Sequence, residues 1–210
     1  MTQSKTLRRW ELALLLGVAL AALLGVWLDG AQAALSDRVI RLHVLANSDS
    51  EADQALKLRV RDAVLAEAEE LFVPGADRAE TEELLRAHLY DLAAAGAEVV
   101  GEAGYSYPVT ASLVHDYWFP TKTYTDFALP AGAYTALRIE IGAGGGQNWW
   151  CVVFPPLCLG SVSETTQETA LEAGLTENQV SLMTGEDEGY VVKFKAVELL
   201  EQFKGWLEGR

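Results

Sequence analysis

Among the side chains of this 210-residue chain that can act as nucleophiles, bases near neutral pH or nitrogen and sulfur metal ligands are three histidines and two cysteines. His43, His88 and His115 lie far apart and share no helical or hairpin ligand spacing, so no metal centre is expected. Cys151 and Cys158 bracket Pro155-Pro156. Such a pair can close a short loop as a disulfide in an oxidising compartment, fill a core as buried thiols, or supply a nucleophile. A nucleophile needs a basic neighbour, and residues 148–158 contain no His, Lys or Arg. Only if the strands of His115 and Cys151 pair, with Asn148 orienting the imidazole, does a thiol-hydrolase arrangement arise. The run Gly142 to Gly146 lacks the following Lys and helix of a phosphate loop and reads as a hairpin turn, so no cofactor is expected.

Two sets of residues suit recognition better than catalysis. His43, Asn47, Ser48 and Asp49 end an apolar strand, Arg61 follows on a helix, and Arg138 or Lys122 folded nearby would complete a polar pocket. The competing reading is that Asn47 to Ser50 cap the helix and the charges form surface pairs. Trp118, Phe119, Lys122 and Tyr124 surround Pro120 in an expected loop. Aromatic residues there either fold back into the core or project as anchors for a partner protein.

These groups must be positioned by an alternation of strands and helices. Residues 38–46 alternate polar and branched apolar side chains, a strand with Val39, Leu42 or Val44 inward. From Glu51 to Phe72, Leu56, Val60, Val64, Ala68 and Leu71 form one helical stripe, ended by Pro74-Gly75. A second helix is expected over 77–95, closed near Gly96. Strands are expected at 105–115, 132–141 and 148–154 over short connections, which favours an antiparallel meander, with most of the core packed on the Trp149 strand. Beyond Leu159 the composition turns to Ser, Thr, Glu and Gln, a linker leading to a strand at 190–194 and an amphipathic helix at 195–208.

The predicted class is α+β: one domain, mainly an antiparallel sheet packed against helices, preceded by an N-terminal signal or anchor helix. Lys5, Arg8 and Arg9, the uncharged apolar run 12–28 and Ala31-Gln32-Ala33 follow the order of a secretory signal. The run is also near the minimum that spans a bilayer. Residues 1–33 are therefore a signal peptide or membrane anchor, 34–160 the domain, and 161–210 an extension packing on it. The chain carries −14, and its first 33 residues are net positive, so the body beyond them is more acidic still. That charge argues against nucleic acid and anionic membrane surfaces as targets of the exported body.

Four blocks of sequence resemble the stage II sporulation protein R family. They are Arg41-Leu42-His43-Val44-Leu45-Ala46-Asn47-Ser48-Asp49-Ser50 with Asp53 to Leu58 and Val60-Arg61-Asp62; Phe119 to Tyr124; Pro130 to Tyr134 with Ala136 to Ile139; and Asn148 to Cys151 through Phe154 to Cys158. The resemblance covers about 36–159. It implies an exported signal of endospore-forming bacteria, made in the forespore and sent across its membrane into the intermembrane space. There such a protein switches on the membrane-bound aspartic peptidase that processes the sigma-E precursor. It implies an activator, not an enzyme. Two other classes compete: a secreted hydrolase using Cys151 or His115, and a wall-polymer binding module whose Trp and Tyr stack on sugars.

Overall fold

The computed structural model describes residues 10–17, 19–20, 33–73, 75–124, 127–157 and 164–184. The chain divides into two units, Met1–Leu35 and Ser36–Arg210. In the first, residues 10–17 are helical and exposed. Among the described residues no helix is long and apolar enough to cross a membrane. Most of the apolar run 12–28, and the strand and helix expected beyond 190, lie outside the described residues.

The second unit is α+β, a mixed sheet packed with helices. Its elements are β1 (Ile40–Leu45), α1 (Glu51–Glu70), α2 (Arg78–Ala87), α3 (Leu89–Glu102), β2 (Val109–Phe119), β3 (Lys122–Thr123), β4 (Ala128–Leu129), β5 (Gly132–Ile141), β6 (Asn148–Phe154), α4 (Glu164–Glu172) and α5 (Glu177–Thr184). The four-stranded sheet has the order β2-β5-β1-β6, and β3 and β4 form a separate small hairpin.

The meander is corrected. β5 and β6 are consecutive in sequence but do not pair, because β1 enters between them, parallel to β5 and antiparallel to β6. The Trp149 strand is consequently at the edge of this sheet, and β1 is its most enclosed strand, with all six residues buried. Its alternation separates two faces rather than core from water. Ile40, Leu42 and Val44 join Leu137, Ile139, Ile141, Cys151 and Val153 in the core against Leu56, Val60, Val64, Leu85, Leu92 and Val100 of the helices. Each such fully buried aliphatic side chain contributes roughly 1.5–3 kcal/mol. Arg41 and His43 point to the opposite face.

Ser50 caps α1 by accepting from the Asp53 N–H. The second helix expected over 77–95 is two helices broken at His88, where α2, opened by an Asp77/Glu80 capping box, gives way to α3. Gly96 does not close a helix. It lies inside α3, where a Cβ would come within 3.0 Å of Val109 and 3.1 Å of Val60, so its missing side chain lets α3 sit close to both α1 and β2.

Candidate functional site

The face of the sheet turned away from α1 and α3 collects the polar and aromatic side chains that the core excludes. Arg41 and His43 project there from β1, Tyr134, Arg138 and Glu140 from β5, and Asn148 and Trp150 from β6. β2 contributes through an irregularity. Its register with β5 shifts between Val114 and Tyr117, where Asp116 takes φ 54°. One extra residue inverts the alternation beyond it. Ser112 and Val114 lie on this face before the shift, and Tyr117 and Phe119 after it.

Arg41 is fully buried. Its guanidinium lies 4.0 Å from the Phe119 ring centroid and 5.0 Å from that of Tyr134. Nη2 donates to the Tyr124 hydroxyl at 3.3 Å, and that hydroxyl donates to the Trp150 carbonyl at 3.2 Å. Among the described residues Arg41 has no ion pair, and its Nε and Nη1 have no acceptor. Burial raises the Tyr124 pKa, with Arg41 opposing the shift. Desolvated cation–π contacts are worth about 2 kcal/mol, which offsets only part of the cost of burying the charge.

His43 is also fully buried, with Nε2 2.6 Å from Asn148 Oδ1 and the Tyr117 ring 4.9 Å away. Burial lowers its pKa, the Asn148 bond works against this, and the Arg138 charge adds to the lowering. The imidazole is therefore neutral at pH 7. Arg138 pairs with Glu140 at 2.9 Å.

The residues proposed for a polar pocket divide between four places. His43 and Arg138 are cross-strand neighbours on the face opposite the apolar core. Asn47, Ser48 and Asp49 instead knit the β1–α1 loop to the Gly142–Gly146 turn. Asn47 and Ser48 donate to Asp53 at 2.9 and 2.5 Å, Asn47 Oδ1 accepts from the Ala143 N–H at 3.0 Å, and Asp49 accepts from the Gln147 N–H at 2.7 Å. Those bonds hold the Asp53 carboxyl below the usual range. Arg61 stands on α1, 4.4 Å over the Trp149 ring and paired with Asp62 at 2.6 Å. Lys122 is exposed on β3.

The aromatic set divides too. Trp118 is 48% exposed, whereas Phe119 is fully buried and Tyr124 stacks on Phe127 with its hydroxyl turned to Arg41. The reason is the shift at Asp116, which directs Phe119 inward and leaves Trp118 on the other side of β2.

The thiol-hydrolase arrangement is corrected. Cys151 is disulfide-bonded, and Cys158, the chain's one other cysteine, lies outside the described residues. β2 and β6 are separated by two strands, so the backbones bearing His115 and Cys151 are about 14 Å apart at the usual strand spacing. His115 instead contacts Glu82 at 3.4 Å and Thr135 Oγ1 at 3.3 Å, an order that imitates a hydroxyl triad. Thr135 is buried and its Oγ1 also accepts from Arg78, while Glu82 pairs with Arg78 at 3.0 Å and Arg86 at 2.7 Å. This cluster ties α2 to the sheet. His88 sits at the α2–α3 junction, 3.0 Å from Asp91.

Arg41, Tyr117, Tyr134 and Trp150 were not singled out by sequence. The available signal was an arginine flanked by Ile40 and Leu42 in a chain whose strands β2, β5 and β6 carry aromatic residues.

A mixed sheet with helices packed on its apolar face and a cation–aromatic cluster on the other defines an α+β protein. The family model for stage II sporulation protein R matches residues 36–164, and the chain belongs to that family. It is 40% identical over 124 residues to the protein named "Stage II sporulation protein R" of Bacillus subtilis (strain 168), an alignment covering 59% of this chain and 55% of that protein. The match thus spans little more than half of the relative's length. No solved structure matches this chain.

Proposed function

We propose that this chain is a non-catalytic protein signal in endospore formation, exported from the forespore into the intermembrane space, where it activates the membrane-bound aspartic peptidase that processes the sigma-E precursor. Family membership supports the sporulation role. The observation that favours recognition by contact is Trp118, a half-exposed tryptophan at the end of β2, close in sequence to exposed Lys122. Tryptophan is among the residue types most enriched as interface anchors.

Co-expression of the peptidase, its sigma-E precursor and this protein in a non-sporulating host tests the reading. Precursor cleavage should require this chain and should persist when His115 is replaced by Ala. Cleavage that is indifferent to the chain removes the activator role, and loss of cleavage with a folded His115→Ala protein points to a hydrolase.

A further inference from the structure

We propose that Arg41 anchors a binding site for a single carboxylate on the face of the sheet opposite the apolar core, walled by Phe119, Tyr124, Tyr134 and Trp150. The proposal stands apart from peptidase activation. A guanidinium offers five N–H donors, one on Nε and two on each Nη. Arg41 is 0% exposed, yet Tyr124 is its one hydrogen-bond acceptor among the described residues, and Nε and Nη1 are buried without partners. Buried donors are rarely left unpaired, and an unpaired buried charge is costlier still. The deficit extends over neighbouring residues. His43 Nδ1, Trp150 Nε1 and Arg138 Nε are also buried and unpartnered, so five of the seven such atoms among the described residues lie on this one face. His43 is the cross-strand partner of both Arg138 and Trp150.

The chemistry of an acceptor suited to Arg41 follows from the walls. Phe119 and Tyr134 lie against the guanidinium, so an acceptor must approach along its planar edge. A planar carboxylate matches that edge and carries the one negative charge needed, whereas a phosphate near neutral pH would bring surplus charge into an apolar box. Tyr124 closes the site now. Its hydroxyl must release Arg41 and rotate aside for the carboxylate to take its place.

The test is thermal unfolding of the full-length chain, purified in non-ionic detergent, in sodium acetate against sodium chloride at matched ionic strength and pH 7. Acetate should raise the midpoint in a saturable way, on the order of 5 °C at about a hundredfold excess over Kd, and should not do so for Arg41→Met. Equal midpoints in the two salts, or an Arg41→Met chain that melts higher than the native one in both, overturn the site, since the second result is that of a buried cation with no counter-ion. If Arg41→Met does not fold, the Arg41 Nε–H resonance of the unsubstituted protein decides: it must shift with acetate and not with chloride. Asp126, two residues beyond Tyr124 in sequence, supplies the remaining control. A chain that responds to acetate only after Asp126→Asn has its carboxylate built in, and the proposal fails.

Discussion

The guanidinium of Arg41 lies 4.0 Å over the ring of Phe119, a buried cation on a buried aromatic from a strand that is not its neighbour. β5 separates β1 from β2, so the contact reaches across a strand, and it exists because Phe119 falls beyond the register shift at Asp116. It turns an aromatic set that reads as one surface into an inner and an outer half, and the halves should behave differently on substitution.

Trp118→Ala should lower the unfolding midpoint less than Tyr124→Ala does while weakening the proposed peptidase activation, since the side chain is half exposed. An interface anchor worth about 2 kcal/mol corresponds to roughly thirtyfold weaker association. Tyr124→Ala should lower the midpoint, because it removes the hydroxyl bridging Arg41 and the Trp150 carbonyl. Equal loss of stability in both variants would rule out this division.

Acid should destabilise the domain in two stages. His43 has a lowered folded pKa, so the unfolded chain takes up its proton first and stability falls as pH drops below about 6.5. Asp53 also has a lowered folded pKa, so its contribution is complete above the unfolded carboxylate value and is lost as pH falls below about 4 through the folded value. Denaturant titrations across pH should lose the upper stage in His43→Gln and the lower in Asp53→Asn.

Gly146→Ala should cost about 1–3 kcal/mol by denaturant titration. A Cβ there would stand 2.2 Å from the Ser48 carbonyl oxygen, which belongs to the backbone and cannot rotate away. The Gly146 N–H donates to the Ala46 carbonyl at 2.9 Å, so the shift would also strain the loop that holds Asn47.

Alkylation of the denatured, unreduced protein exported by its own cell should modify neither cysteine, given the bonded Cys151. Reduction should lower stability by at most about 2.5 kcal/mol, because a loop as short as Cys151 to Cys158 removes little entropy from the unfolded chain.

Local order was legible in the residues themselves. Five strand and helix segments of the domain follow from alternation and from the stripe Leu56, Val60, Val64 and Ala68, since those periods are properties of a strand or helix alone. The Ser50 cap could be read for the same reason, its partner being three residues away. Gly96 misled because a glycine in a helical pattern is a stop signal unless another element presses on it, and Val109 is not local. Which strands pair was a tertiary decision. Short connections favour β5 beside β6, but β1 needs both faces covered and two hydrogen-bonded neighbours, and it takes the place between them. The candidate site depended on that insertion and on one extra residue at Asp116. Without the shift, Tyr117 and Phe119 would face the helices, and Arg41 would have no aromatic wall. Side-chain direction in a strand has period two, so a single inserted residue, which leaves composition and pattern unchanged, reassigns every side chain beyond it.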